Sequence, residues 1–454
     1  MLKALLSISL PLSAAQLAQS AMLVSDTILM GLMGVDALAG GALGVGAFHF
    51  FLITFSGVLF AAPNEISVSY GRKHHGRIVR NLRGGLVVAL CLSMLVSLLC
   101  LVTPGVLESL GYEKNMLVHA RAYLEGAAWI GLPAYLFMLL RGLASGLGDT
   151  RPIMILTLMA AVLNVPVSYA LMTGAGILPA LGLKGIALGT ALVHVFLALG
   201  MLWHLARSVR VRRWLMHALS RPRRPDFRPY WRLGVPIAVA IGMEMGLFFV
   251  AALMAGKLGA VSLAAHQVAL QAASTAFNLY IGLAQGTAIR VGHFYGAGDR
   301  LSADRVARMG LGLGLVCCTL IAILFVTLPE PIIRLFTFNA DAARSAEVMS
   351  VGTGLFVVAA LFQLADGAQV IIISVLRALH LGTAPTVVTA IGYWLIGVPV
   401  AWWLGQYWGV HGIWSGLGIG LLSTALGLGW LYWRTLGREA WSSRRSARPA
   451  IPPL

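Results

Sequence analysis

Hydrophobic residues form long runs along this chain, and short polar segments separate them. Twelve of these runs reach roughly the 20 residues that a helix needs to cross a bilayer. Lipid offers no hydrogen-bond partners, so each backbone N–H and C=O in a run must pair within a helix. The short alternating strands of outer-membrane barrels are absent from the sequence. The pattern predicts an all-α polytopic membrane protein with helices at about 4–33, 41–62, 84–103, 122–147, 152–175, 183–206, 233–255, 262–290, 307–328, 348–376, 384–405 and 409–433.

Composition excludes the soluble classes. Hydrophobic residues make up 59% of the 454 residues and charged residues only 11%, whereas soluble domains carry about 25% charged residues. So little charge cannot solvate the surface of a soluble domain, and so much apolar surface cannot stay in water as a disordered chain. The four cysteines lie in apolar runs without CxxC spacing, which favours small core residues over metal ligands or disulfides.

The positions of the basic residues predict the orientation, because Lys and Arg resist translocation. If the N-terminus is cytoplasmic, 27 of the 33 basic residues fall on the cytoplasmic side. The densest group lies at 207–232, in RSVRVRRW and RPRRPDFRP. The net charge of +17 therefore indicates membrane topology and no nucleic-acid partner. The first residues resemble a signal peptide, but apolar character continues to Met33. We expect a bacterial inner-membrane protein with both termini in the cytoplasm.

An internal repeat relates the two halves of the chain. Shifting the sequence by 225 positions aligns Pro11 with Pro236 and Gly34 with Gly259. At offset 227, Gly182 aligns with Gly409. Each half then holds six spans, so the halves are parallel and related by a pseudo-two-fold axis along the membrane normal. The predicted organisation is an N-terminal lobe, a basic cytoplasmic linker, a C-terminal lobe and a cytoplasmic tail, at 1–206, 207–232, 233–433 and 434–454. Two such lobes around a central cleft favour an alternating-access carrier.

Acidic residues inside the spans are the strongest functional signal. A carboxylate within the membrane costs about 2.5–3.5 kcal/mol or more, so it indicates a functional site. Glu65 and Glu125 lie near helix ends, where they can reach headgroups or basic residues. Asp26, Glu244 and Asp366 lie deeper, with no basic residue within two turns in the sequence. A structural pairing with a distant arginine is the alternative for these three residues.

Unpaired carboxylates in a low dielectric predict cation exchange. Burial disfavours the charged form, so each group must accept H+, a metal cation or an organic cation. If these cations take turns, the inward flow of H+ or Na+ drives the export of the organic cation. Aromatic and methionine side chains in the spans suit flat lipophilic cations. Candidate polar contacts to the substrate, which could instead join helices, are Asn164, Ser168, Gln267, Gln271, Asn278, Gln285, Gln363 and Gln369.

Several stretches together resemble the multidrug and toxic compound extrusion (MATE) family, in its NorM-like bacterial branch. They are SLPLSAAQLAQSAMLVSDTILMG, LGVPIAVAIGMEMGLFFVAALMAGKLGAVSLAAHQVAL, GTAIRVGHFYGAGD and LFQLADGAQVIIISVLRAL. The resemblance covers about residues 4–433. It implies a twelve-helix antiporter for multidrug efflux that exports organic cations, such as dyes and fluoroquinolone-like drugs, in exchange for H+ or Na+.

The resemblance also implies roles for individual residues. Asp26 matches an acid of the N-lobe cation site, and Asn164 a polar position close to it. Glu244 and Asp366 match a C-lobe pair, which would be the ligands for Na+. Some relatives carry a tyrosine one helical turn before the last acid, where this chain has Phe362. The lost oxygen favours H+ over Na+. We expect no cofactor, and function as a monomer in the bilayer.

Two other functions fit the sequence less well. A flippase for lipid-linked precursors, from the same superfamily, would need extra spans or a basic central cavity, whereas the arginines here lie at the cytoplasmic face. A membrane-embedded enzyme would need clustered acids or histidines such as DxxxD or HExxH, and the sequence contains neither arrangement. We therefore expect a transporter and not an enzyme.

Overall fold

The computed structural model describes residues 1–109, 114–174, 179–220, 225–337 and 342–440. These residues form helices and connecting turns without a β-strand. The tail beyond residue 440 and linker residues 221–224 lie outside the described residues. The α-helices are α1 Leu2–Leu32, α2 Val35–Leu59, α3 Ala61–Gly71, α4 His75–Ser109, α5 Lys114–Ala127, α6 Gly131–Gly146, α7 Arg151–Thr173, α8 Gly182–Arg207, α9 Val209–Ser220, α10 Val235–Lys257, α11 Ala260–Gly296, α12 Arg300–Thr327, α13 Pro329–Thr337, α14 Ala342–Ala378, α15 Thr383–Ala390 and α16 Val398–Tyr432.

Within the described residues, each of the twelve apolar runs predicted from the sequence coincides with one or more helices. By length and hydropathy, eight helices of the described chain can span a membrane, or nine when the bent pair α5 and α6 counts as one. The segment from Thr383 to Ala440 is one of the eight, and it contains two predicted spans because the backbone turns at Gly409 inside α16. Helices α1 and α11 cover the two remaining runs. The all-α polytopic fold is thus confirmed.

The pair α5 and α6 departs from a straight span. The sequence predicted one helix at 122–147, but the chain breaks after Ala127 and resumes at Gly131 with a bend of 47°. Helix α5 also begins earlier than predicted, at Lys114. Its first turns are polar and carry Lys114 and Arg121, so hydropathy alone assigned them to a loop.

The chain divides into two compact units. One comprises Ala14–Val239, and the other comprises Met1–Ser13 together with Ala240–Leu454. The start of α1 therefore packs within the second unit, where the Ser13 hydroxyl donates to the Leu279 carbonyl at 2.7 Å. The lobe bounds 1–206 and 233–433 remain a sequence-based prediction.

The internal repeat is visible in the backbone. Gly34 precedes α2 with φ 112° and ψ 171°, and its equivalent Gly259 precedes α11 with φ 108° and ψ 169°. Gly182 and its equivalent Gly409 both have φ 56°. Side chains with a Cβ disfavour positive φ, so glycine at both members of each pair preserves the same turn. The two halves therefore share local geometry as well as sequence.

Close helix packing is repeated in the same way. A Cβ placed on Gly189 of α8 would lie 2.4 Å from Ser168 Oγ of α7. A Cβ on the equivalent Gly416 would lie 2.2 Å from the Ala401 backbone nitrogen. Helices in lipid associate mainly by van der Waals packing, which small residues allow. Large apolar side chains such as Val162 and Leu395 are instead exposed, as lipid-facing positions should be.

Candidate functional site

The N-terminal unit holds Asp26 in a buried polar cluster between α1, α7 and α8. Only 4% of Asp26 is exposed. Its Oδ2 accepts a hydrogen bond of 2.7 Å from the hydroxyl of Thr190 on α8. Its Oδ1 is fully shielded and has no hydrogen-bond partner among the described residues. One carboxylate oxygen is therefore left to receive a cation.

Asn164 and Ser168 complete this cluster. The Asn164 amide donates to Thr190 Oγ1 at 3.3 Å and to Ser168 Oγ at 3.5 Å. Its carbonyl oxygen accepts from the hydroxyl of Ser25, next to Asp26, at 2.7 Å. Asn164 and Ser168 are fully buried. The structure thus brings three residues singled out from the sequence together around Thr190, which sequence reasoning missed.

The C-terminal unit brings Glu244 of α10 and Asp366 of α14 within electrostatic range of each other. Asp366 is buried, and Glu244 is partly accessible. Within the described chain, neither carboxylate has a basic nitrogen within 4.0 Å. Two like charges in a low dielectric disfavour simultaneous ionisation. A shared cation or proton would relieve this repulsion.

Two arginines near helix ends are withdrawn from the surface: Arg141 is buried, and Arg377 is half-buried. Arg377 of α14 is within electrostatic range of Glu244, although the two groups form no direct ion pair. Arg141 of α6 is buried and donates to Gln16 Oε1 at 3.0 Å and to Gln19 Oε1 at 3.4 Å. The alternative of a distant arginine near one of the acids thus applies to Glu244 at electrostatic range, without a direct ion pair. Long side chains let arginine reach inward from a helix end, which sequence position does not reveal.

Two tyrosines near Asp366 were also missed. Tyr393 is buried and interacts electrostatically with both Glu244 and Asp366, and its hydroxyl accepts a hydrogen bond from Gln369. Tyr280 of α11 interacts with Asp366 and donates to Gln363. These two phenols therefore place hydroxyl oxygens in the surroundings of Asp366, although Phe362, one helical turn before it, has no side-chain oxygen. Their distance in sequence hid this relation.

Phe362 itself lies in an aromatic core. It is 2% exposed, with its ring centroid 5.2 Å from that of Trp414 and 6.2 Å from that of Phe248. Gln363 is fully buried and also donates to the Ala273 carbonyl at 3.2 Å. These contacts join helices within the unit. Neither residue presents a free surface to a substrate in this structure.

Gln267, Gln271 and Asn278 share one face of α11. Their spacing of four and seven residues places them along one side of the helix. Gln267 and Gln271 are exposed, and Asn278 is partly exposed. We call these three residues the polar strip of α11. Exposing polar side chains to hydrocarbon in the middle of a span costs free energy. The polar strip is therefore expected to face a polar environment and not the lipid.

Two further acids have ordinary partners. Glu125 forms a 3.1 Å ion pair with Lys184, which confirms a pairing close to a helix end. Asp304 pairs with Arg308 at 3.1 Å and accepts a 2.5 Å hydrogen bond from Tyr432. No group of three or more His, Cys, Asp or Glu side chains in the described parts of the chain is arranged to hold a metal ion.

Comparison with known proteins agrees with the duplication. The MatE family model matches twice, at residues 11–170 and 236–403. The chain belongs to the MatE family. It is 38% identical over 450 residues to the "Probable multidrug resistance protein NorM" of Pseudomonas putida, covering 96% of both chains. It is 36% identical to the protein with the same description from Pseudomonas aeruginosa, covering 96% of this chain and 90% of the relative.

A solved structure shows the same fold. The crystal structure of the Vibrio cholerae MATE transporter VcmN in its bent form superposes with a TM-score of 0.85 at 17% identity. The alignment covers 96% of this chain and 97% of VcmN. The twelve-helix fold predicted from the sequence is therefore that of MatE transporters.

The candidate acids of this MatE chain do not follow the repeat. At the offset of 225, Asp26 aligns with Ala251 and Glu244 aligns with Gln19. Arg141 aligns with Arg377 at offset 236. The pair Gln19 and Arg141 in one unit thus corresponds to Glu244 and Arg377 in the other. The two units share a scaffold but carry their acids at different positions.

Proposed function

We propose that this MatE chain exports organic cations, including drugs and dyes, in exchange for an inward flow of H+ by alternating access. The observation that carries the proposal is the free oxygen of buried Asp26, which no described residue satisfies. A shielded carboxylate without a basic partner is unstable unless a cation neutralises it. The NorM names of the relatives, which describe multidrug resistance proteins, support this assignment.

Glu244 and Asp366 supply the second acidic site of the proposal. Their mutual repulsion favours uptake of one positive charge, and Arg377 nearby favours its release. A site that binds its cation too tightly cannot turn over, so a nearby positive charge is useful for exchange. Asp26, Glu244 and Asp366 are accordingly the proposed coupling residues.

The polar strip of α11 is the proposed contact for the substrate. Gln267, Gln271 and Asn278 offer amide oxygens and nitrogens on an accessible face of a membrane-spanning helix. Amides can bind a cationic substrate without fixing one geometry, as a multidrug carrier requires. By contrast, Asn164, Ser168, Phe362 and Gln363 act as support, since each is buried among partners of its own unit.

H+ is the proposed coupling ion in preference to Na+. A proton needs only one lone pair, whereas a metal ion needs several oxygens around it. Tyr280 and Tyr393 offer phenol oxygens near Asp366, but both hydroxyls are engaged with glutamines. Coupling to Na+ held by Glu244 and Asp366 is therefore less favoured. The experiment below distinguishes coupling to Na+ from coupling to H+.

The setting of the protein is part of the proposal. The distribution of basic residues supports a bacterial inner-membrane location with both termini in the cytoplasm. Each unit carries its own acidic site, which supports function as a monomer without a cofactor. The relatives are transporters, which supports a carrier and not an enzyme.

The test is transport by purified protein in vesicles with a pH gradient or a Na+ gradient imposed separately. We expect an imposed pH gradient to drive ethidium-like dye across the membrane in the direction opposite to the flow of H+. The variants D26N, E244Q and D366N should each transport the dye at least about ten-fold more slowly. E125Q serves as the matched control, because Glu125 is already paired with Lys184. Wild-type rates in all three variants would refute the mechanism, and transport driven by Na+ alone would refute proton coupling.

A further inference from the structure

Helix α9 in the basic linker has three distinct faces. Val211, Trp214 and Ala218 are buried and pack toward α4 and α8; we call them the packed face. Arg210, Arg213 and His217 repeat at the same spacing one position earlier and are exposed; they form the basic arc. The third face, the apolar arc, is also exposed; it carries Val209, Met216 and Leu219, and the exposed Arg212 lies between Leu219 and Met216.

Specific contacts hold α9 in place. The guanidinium of Arg83 on α4 donates to the carbonyls of Ala218 at 3.1 Å and His217 at 2.6 Å. Cations near the last turn of a helix also complement its dipole. The rings of His75 and Trp214 stack with centroids 5.1 Å apart. Helix α9 is thus attached to the N-terminal unit, and its two outer faces are presented in a defined orientation.

The position of α9 is that of the membrane boundary. It begins two residues after α8 ends, because Ser208 adopts an extended backbone with ψ 116°. In the last turns of α8, the Arg207 guanidinium lies 3.8 Å from the centroid of the exposed Trp203 ring. Tryptophan and arginine of this kind mark the headgroup level of a bilayer. Helix α9 therefore starts where the chain leaves the hydrocarbon.

We propose that α9 binds the anionic phospholipids of the membrane surface next to it. The apolar arc reaches into the boundary of the acyl chains, while the basic arc meets lipid phosphates. A helix of this type lies in the plane of the interface. Leu219 is 75% exposed on a helix already packed on its opposite side, so water would otherwise cover an unpaired apolar face.

A cavity beside the basic arc fits this partner. It has a volume of about 380 Å³ and lies at the elbow between α8 and α9, lined by Tyr70, Leu147, Arg210 and Trp214 with neighbouring backbone. The cavity offers the guanidinium of Arg210 and the aromatic ring of Trp214, which suit a phosphate headgroup with its glycerol. Charge complementarity selects an anionic lipid over a zwitterionic one.

The test uses the full-length chain in nanodiscs. Cys91 and Cys317, the two cysteines with accessible surface, are replaced by alanine, and a fluorescent label is placed at M216C. Brominated phosphatidylglycerol or brominated phosphatidylcholine is then added to separate discs. We expect stronger quenching by phosphatidylglycerol, and little quenching by aqueous iodide.

Matched variants identify the residues responsible. R210Q/R213Q should reduce the preference for phosphatidylglycerol by about five-fold for each arginine removed. R228Q/R232Q removes the same charge from exposed positions in the same linker outside α9 and should retain the preference. Equal quenching by both lipids, quenching mainly by iodide, or equal loss in both double variants would each overturn the proposal.

Discussion

At the scale of single residues, the shape of the Asp26 site depends on Thr190. The threonine hydroxyl accepts from Asn164 and donates to Asp26, so it fixes which carboxylate oxygen remains free. Hydrogen bonds to charged groups contribute about 1.5–3 kcal/mol. A small polar residue at an unremarkable position thus organises the cluster.

Replacing this hydroxyl tests its role. We expect T190V to slow dye exchange by at least about ten-fold, because it removes the hydrogen bond to Asp26 and leaves a second buried oxygen unpaired. T190S retains the hydroxyl and should restore exchange to near the wild-type rate. Equal rates for T190V and T190S in vesicles would show that the hydroxyl is unimportant.

Asp299 provides a pH-dependent prediction outside the spans. Its carboxylate accepts from the Ser302 backbone N–H at 2.9 Å at the start of α12, and hydrogen bonds to Ser302 lower the pKa of Asp299. Because the pKa is lower in the folded state, the ionised carboxylate stabilises the fold at pH values above the unfolded pKa of about 3.9. This stabilisation is lost as the pH falls through the folded-state pKa. The substitution D299A should lower the free energy of unfolding by about 1 kcal/mol near neutral pH, because it removes the N-cap of α12.

Thermal unfolding in detergent measures this effect. The melting temperature of D299A should lie below that of the wild type at pH 7, and the gap should narrow toward pH 3. D299N is the control, since asparagine also caps helices and does not titrate. A gap that is independent of pH would contradict the contribution of the charged carboxylate.

At the scale of elements, glycine decides how closely helices approach. Gly416 faces the Ala401 backbone within α16, whereas a Cβ on Gly418 would meet nothing within 4 Å. We expect G416A to destabilise the protein by about 1–3 kcal/mol through overpacking. G418A, two residues away on the same helix, should leave the melting temperature unchanged or raise it slightly, because alanine favours the helix over glycine. Equal melting temperatures for the two variants would refute this packing.

Arg377 and Arg141 also act between elements. If Arg377 stabilises Glu244, the variants E244Q and R377Q should be non-additive, with a coupling of about 0.5–3 kcal/mol in melting experiments. Arg141 contacts neutral glutamines instead, so R141Q and E244Q should be additive. Additivity in both cycles would mean that the charge of Arg377 does not act on Glu244.

At the scale of the whole molecule, the basic residues predict which way the chain crosses the bilayer. Lys114 is predicted outside, and Arg228 in the linker is predicted inside; both are exposed. In intact cells, a membrane-impermeant maleimide should label K114C at once and R228C only after permeabilisation. Cys91 and Cys317, the two cysteines with accessible surface, are replaced by alanine in both variants. The reverse labelling pattern would invert the orientation.

The sequence by itself determined the fold class, the twelve helical runs and the duplication. Hydropathy over some 20 residues reports directly on the need to satisfy backbone hydrogen bonds in lipid, and Gly34 and Gly259 mark the same turn in both halves. It also identified Asp26, Glu244 and Asp366, because charge in an apolar run is conspicuous without any knowledge of neighbours.

Only the tertiary structure decided what surrounds those acids. Thr190 and Tyr393 lie far from Asp26 and Glu244 in sequence, and side chains from separate helices meet only through packing. Arg377 belongs to a helix end by its position, yet its long side chain brings charge to Glu244. Likewise, the sequence alone assigns the arginines of α9 to membrane topology. Only the packed face shows which sides of this helix are exposed.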